Sequence, residues 1–286
     1  MKAALREFWY SFKQNRGAVA GLSLVGTFVL IAIFAPLLAP HDPTQIFDGL
    51  FTQPPVWNSL GTSRFLFGTD DVGRDLLSRL IYGARVSMTI GFFVVVFSLS
   101  IGTFLGLIAG YVGGWVDAAI MRMMDILMAL PSILLAIVVV TILGQNLSNA
   151  IIAVGVTVIP GFVRLVRAQV MVEKGRQYVI ASRTFGASPM RQVFINILPN
   201  CMAPIIVQGT LGFSDGILNV AALGFLGLGA KPPTAEWGTM LSDGRSYIES
   251  APWLVTLPGL CILFVVLAFN LLGDGLRDAL DPRLKK

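Results

Sequence analysis

Gln208, Asp215 and Asn219 stand seven and then four residues apart, in a stretch from Ile197 to Ala230 where Asp215 is the sole charged residue before Lys231. On a helix these three side chains point within about 20° of one direction, with Gly212 close to the same face. A carboxylate inside a bilayer costs about 2.5–3.5 kcal/mol on insertion scales, so it faces protein or a water-filled cavity. Two readings follow: the three residues line a pathway for a solute, or Asp215 is a structural carboxylate paired with a neighbour. Other chemistry is thin. The run Gly224 to Lys231, GFLGLGAK, misses a phosphate-binding loop because its lysine falls one place late, Pro232 follows where Ser or Thr is needed, and the run ends an apolar helix. His41 is the only histidine, and Cys201 and Cys261 both sit in apolar surroundings. Neither a metal cluster, a disulfide framework nor a catalytic triad can be assembled from them, and the chain is expected to bind no cofactor and to catalyse no reaction.

The segments that must position this stripe are apolar and of membrane length. The chain has 286 residues, 55% hydrophobic and 13% charged, with a mean hydropathy of +0.76. That is far more apolar surface than one water-soluble core uses. A bilayer core of about 30 Å takes roughly 20 helical residues, and six spans meet this requirement: Val19 to Leu38, Val86 to Tyr111, Ile120 to Leu143, Leu147 to Val163, the long stretch Ile197 to Ala230, and Pro252 to Leu272. The first is read as a retained anchor rather than a signal peptide, because it is longer than a signal's apolar region and follows the polar and aromatic head of residues 1–17. Gly102, Gly106 and Gly110 at four-residue spacing invite close approach of another helix. Arg122 and Asp125, one turn apart, are placed to pair, Pro131 to kink the third span, and Pro160 with Gly161 to bend the fourth. The outer stretch Gly68 to Arg85 carries Val72, Leu76, Leu77 and Leu80 on one side, the pattern of an interfacial helix.

Basic residues orient the spans. Fifteen of the 21 Lys and Arg fall at the amino end, around Arg122, between spans four and five with their flanks, and in the tail; the other six are Arg64, Arg74, Arg79, Arg85, Lys231 and Arg245, interspersed with acids. The positive-inside rule then sets both termini in the cytoplasm. The net charge of +5 belongs to these loops rather than to one solvated face, which argues against nucleic acid as a partner.

Between spans four and five lies a polar island, residues 172–199, with Lys174, Arg176, Arg183 and Arg191 against one acid, Glu173. As helix, Tyr178, Ala181, Ser182 and Phe185 form one stripe. Gly186 can supply a left-handed stop, and Ser188 with Pro189 reads as cap and first residue of a second helix. The product is a helical elbow.

Ala181, Ser182, Gly186 and the closing Ile197, Leu198 and Pro199 resemble the EAA loop of ABC-importer permeases, the short helix that sits in a groove of the ATP-binding subunit. The sequence departs from that pattern at Ile180, where the family has Glu, at Ser182, its second Ala, and at Asn196, its first Ile. Together with GTDDVGRDLLSRLIYGAR, WGTMLSDGRSYI and FNLLGDGLRDALDPRLK, the resemblance extends over nearly the whole chain to the peptide and nickel branch of those permeases. The strings ASRTFGAS, NILPNCMAPIIVQ and ALGFLGLGAKPPTAEWGTML are similar to the second permease subunit of dipeptide importers. The resemblance implies an all-α, six-span type I importer permease in the inner membrane of a bacterium, with residues 1–85 as amino end, first span and extracytoplasmic segment, and 86–286 as the permease domain. It implies a second homologous permease, two ATP-binding subunits that carry ATP and Mg, an extracytoplasmic binding protein and a peptide as cargo. Coupling to the ATPase is expected at Tyr178, Ala181, Ser182, Arg183, Phe185, Gly186, Ala187 and Ser188, and the pathway at Gln208, Asp215 and Asn219. Oligopeptides, nickel complexes and haem precursors are the other cargoes of the branch. A stand-alone secondary transporter that uses Asp215 and the Arg122/Asp125 pair as an ion relay, or a membrane anchor for a complex, are the rival classes.

Overall fold

In hydrocarbon a backbone must satisfy its own polar groups, so each apolar span becomes a helix. The structure, a computed structural model, describes residues 2–280; Arg283, Lys285 and Lys286 of the basic tail lie outside them. Among the described residues there is no strand, only two isolated bridges, Ile46 to Arg74 and Thr69 to Asp75. The amino end is α1 (Lys2–Gln14), α2 (Arg16–Ile33) and the single turn α3 (Ala35–Leu38). Then come α4 (Leu76–Val112), α5 (Gly114–Met128), α6 (Ser132–Leu143), α7 (Leu147–Lys174) and α8 (Gln177–Thr184). The chain closes with α9 (Pro189–Arg191), a π-helical turn (Gln192–Ile197), α10 (Leu198–Phe225), α11 (Trp237–Gly244) and α12 (Trp253–Leu280). Five helical runs are long and apolar enough to cross a membrane: α2, α4, α7, the continuous run Pro189–Phe225, and α12. The third span, expected over Ile120 to Leu143, is not one kinked rod. α5 and α6 meet at 93° around Ala129 to Pro131, because Pro131 cannot donate to the preceding turn and starts α6 anew.

Three further readings are corrected. The outer stretch Gly68 to Arg85 is not a separate interfacial helix: α4 begins at Leu76, capped by Asp75, and runs 37 residues without a break, which also puts residues 85 and 86 inside one helix. Span four does not end at Val163 but continues past Pro160 to Lys174. Its basic residues are neutralised, for Arg164 meets Asp125 at 2.6 Å and Arg167 grips Asp117 through both carboxylate oxygens. Asp125 therefore turns towards α7, and the expected partner Arg122 is exposed.

Packing depends on missing side chains. A Cβ on Gly106 would come within 2.6 Å of Val166 Cβ, and one on Gly110 within 2.8 Å of Val170 Cβ; Gly102 faces Phe162 in the same way. The three glycines thus seat one residue of α7 per turn, and Ser98 adds a hydrogen bond from its Oγ to the carbonyl of Gly155 at 2.9 Å. Gly21 brings α2 backbone to backbone with α12 at Ala268 and Leu272, and Phe213 of α10 stacks on Phe269 of α12 at 3.8 Å.

At the end of the molecule away from α8, residues 39–75 fold over the start of α4. Asp70 accepts from Arg74 at 2.6 Å and faces Arg79 at 3.2 Å. Arg79 is fully buried and also donates to the carbonyls of Pro43 and Pro233. Trp237 of α11 fills the notch left by Gly83 and donates to the carbonyl of Leu80 at 3.1 Å. Burial, and then the charge of Asp70, push the half-buried Asp71 carboxyl up; burial, then Asp71, do the same to Asp243.

Gly106→Ala is expected to cost about 1–3 kcal/mol by overpacking, read as a lower unfolding temperature of the purified chain, whereas Gly26→Ala, with open space around its Cβ, leaves it equal or higher. A carboxyl whose folded pKa is raised adds stability below its unfolded pKa and loses it as pH rises through the folded value. Asp71→Asn should therefore raise the unfolding temperature at neutral pH, with the gain closing near pH ~4.

Candidate functional site

The elbow is built from the end of α7 to the start of α10. Gly186 takes φ +81, a conformation without cost only for a residue lacking Cβ. That turn lets the amides of Phe185 and Ala187 return to the carbonyls of Ala181 and Ser182. Ser188 then caps the next helix by accepting from the Arg191 amide, with Pro189 at its first position. From Pro189 the helical run continues to Phe225, so the second arm of the elbow is itself the start of the fifth span.

One side of α8 is fastened to its own chain. Val179 is buried with Val170, Ile197 and Cys201. The Tyr178 hydroxyl donates to Glu173 at 2.6 Å and accepts from Asn200 at 3.0 Å. Desolvation, and then the bond to the Glu173 carboxylate, hold this phenol neutral, pushed up to about 12. Asn196 donates to Ser182 Oγ at 2.8 Å. Gln192 is buried, bridging the carbonyl of Ala187 and the hydroxyl of Tyr111, while Lys174 donates to the Tyr111 carbonyl.

The other side is bare. Phe185 is 90% exposed, Met190 70% and Ile180 53%; Ala181, Arg183, Gly186 and Ser188 are exposed beside them, and Ala187 is half-buried. The four-residue stripe read from the sequence is therefore split. Phe185 and Ala181 project outward, whereas the polar atoms of Tyr178 and Ser182 are occupied inside the elbow. Ile180 and Met190 were not among the expected residues, although two apolar side chains in a polar island were a visible signal. Ser182 and Asn196, two of the three departures from the loop pattern, are bonded to each other, so both departures serve one hydrogen bond inside the elbow.

Within the membrane, Asp215 is exposed and Gln208 and Asn219 are half-buried on the edge of α10 beside α7, where Gln208 Nε2 lies 3.9 Å from the position of a Cβ on Gly161. Asn219 donates to the Asp215 carbonyl at 2.8 Å. Among the described residues no side chain pairs with the Asp215 carboxylate, so the structural-pair reading finds no partner among them. Gly224, in the run that nearly matches a phosphate loop, is packed against the Glu236 carboxylate and Gly238, and Gly227 at φ +77 ends the helix. That run is a helix stop fitted to α11. Glu236 caps α11 by accepting from the amides of Gly238 and Thr239.

Residues 102–286 match the family described as binding-protein-dependent transport system inner membrane component. The chain belongs to that family. Residues 4–55 match the N-terminal TM domain of oligopeptide transport permease C. Curated relatives are similar from end to end. The dipeptide transport system permease protein DppC of Haemophilus influenzae is 56% identical, covering 100% of this chain and 97% of its own, and that of Escherichia coli K12 is 59% identical, covering 99% and 94%. The glutathione transport system permease protein GsiD of Pectobacterium atrosepticum is 44% identical, covering 98% and 91%. The solved MetNI methionine ABC transporter, in an inward-facing conformation, has a chain that superposes with a TM-score of 0.58 at 20% identity, covering 71% of this chain and 97% of its own. That likeness bears out the importer-permease fold, and the family makes the chain a component of a binding-protein-dependent transport system rather than an enzyme, a stand-alone secondary transporter or a membrane anchor.

Ser182→Ala and Asn196→Ala are expected to be non-additive, with a coupling of about 0.5–1.5 kcal/mol in a double-mutant cycle of thermal unfolding; additive effects would mean that the bond contributes nothing to holding the elbow.

Proposed function

We propose that this chain is one of two homologous permease subunits of an ATP-driven importer of dipeptides or short peptides, which together enclose the pathway. The observation that carries the cargo is the end-to-end similarity to dipeptide permeases. Cytoplasmic ATP-binding subunits, two per transporter, carry the ATP and Mg and receive the bare side of the elbow, where Phe185 is the natural anchor: a large aromatic side chain on a rigidly held helix is the type of residue that dominates interfaces. Both termini of the chain then lie in the cytoplasm of a bacterium, since α1, the elbow and the end of α12 share one side. An extracytoplasmic binding protein delivers the peptide to the opposite end.

Closure of the ATP-binding pair moves the elbows, and with them the helices that end there, so that the cavity opens to each side in turn. Among the described residues no counter-ion faces the Asp215 carboxyl, which lies on an edge that a second permease would convert into a lumen. It meets the ammonium of a passing peptide, and Gln208 and Asn219 offer uncharged hydrogen bonds at the same height. Glutathione is the second cargo reading, favoured by the GsiD relatives; it carries two carboxylates besides its ammonium.

The test is reconstitution of the four-subunit transporter in vesicles, with the binding protein supplied. Phe185→Ala is expected to weaken retention of the ATP-binding subunits by about 30-fold or more, and unchanged retention would remove Phe185 from the docking surface. Asp215→Asn should lower dipeptide uptake with assembly intact. Full uptake by that variant would take Asp215 out of the pathway, and uptake of glutathione in preference to dipeptides would exchange the cargo.

A further inference from the structure

The amino-terminal helix α1 has no part in the elbow or the pathway, yet its two sides are sharply different. Phe8 and Phe12 face the last turns of α12, with Phe12 buried against Leu272 and Ala279. Its junction to the first span is pinned, because Asn15 caps α2 through the Ala18 amide and donates to Asp278 of α12 at 2.9 Å. Arg6, Tyr10 and Lys13 point away from this contact, and Trp9 flanks them with its ring stacked on Phe12 at 5.6 Å. At 100° per residue the four fall in an arc of about 100°. All four are exposed, Tyr10 by 70%, and the Lys13 ammonium lies over the Trp9 ring at 5.5 Å.

We propose that this face of α1 binds the headgroups of anionic phospholipids in the leaflet on the elbow side. Asn15 is the sole residue between α1 and the membrane span α2, which keeps the helix at the level of the membrane boundary. Trp and Tyr partition to that boundary because each joins an apolar ring to a polar edge. Arg6, Lys13 and the adjoining Arg16 outnumber the one acid of the helix, Glu7, and each cation near an anionic surface adds about a five-fold preference for it. The bound helix clamps the carboxyl end of α12 against the bilayer, so lipid charge holds α1, α2 and α12 together on that side. The inference stands apart from the cargo and from the identity of the ATP-binding partner.

The test uses the assembled transporter in nanodiscs, whose two leaflets have the same composition, so the result is independent of orientation. Tyr10→Cys is labelled with a membrane-impermeant maleimide, and the native chain, whose Cys201 and Cys261 lie in spans, sets the background. Labelling is expected to be about ten-fold slower with phosphatidylglycerol present than in phosphatidylcholine alone, and Arg6→Gln with Lys13→Gln should abolish the difference. Equal labelling in the two lipids would overturn the proposal. So would equal protection in both lipids that survives the charge removal, since a protein surface or apolar burial would then cover the face.

Discussion

Everything in this subunit hangs on how closely α4 and α7 approach. Lipid tails are as apolar as leucine, so nothing drives helices together in a bilayer except van der Waals contact, hydrogen bonds and the entropy of the displaced lipid. The notches at Gly102, Gly106 and Gly110 supply the first of these, one per turn, and the Ser98 hydrogen bond to Gly155 supplies the second. With that pair fixed, Val170 and Leu107 form the wall against which Val179, Ile197 and Cys201 close. The elbow is thus an extension of the α4 and α7 contact beyond the apolar spans rather than a loop attached to it.

The two ends of the molecule solve different problems. On the elbow side, polar atoms are spent on internal bonds and apolar side chains are left in water, which is the wrong arrangement for an isolated chain and the right one for a subunit with a partner. On the opposite side the polar groups turn inward. Arg79, Asp70, Asp75 and Glu236 are all buried and all bonded, so the cap of residues 39–75 and α11 hold one arrangement at the mouth of the bundle.

Much of this was legible in the residues. Apolar run length gave the spans, and the four-residue glycine spacing gave the close packing. Gly186 followed by Ser188 and Pro189 gave the stop and restart of the elbow. What escaped was decided by tertiary contact. The burial of Arg79 did not show in the pattern of an interfacial helix because its partners include the carbonyls of Pro43 and Pro233, far away in the chain. Asp125 read as the partner of Arg122 because helical neighbours can be counted in sequence, whereas Arg164 is brought up by another helix. The direction in which α8 faces could not be read from the spacing of Tyr178, Ala181, Ser182 and Phe185, since an amphipathic stripe does not say whether it meets its own chain or another.

The continuous helical run from Pro189 to Phe225 has a mechanical meaning. Its 37 residues span about 55 Å at 1.5 Å per residue, so it is a lever whose short end is welded to the elbow and whose tip stops at Gly227 beside α11. For a rod of that length, each degree of tilt about the elbow displaces the tip by about 1 Å. A few degrees imposed at one membrane surface would arrive at the other as a shift comparable to the width of an atom. No relay of side chains through the core is needed, and the stiffness of a single helix sets the fidelity of the signal.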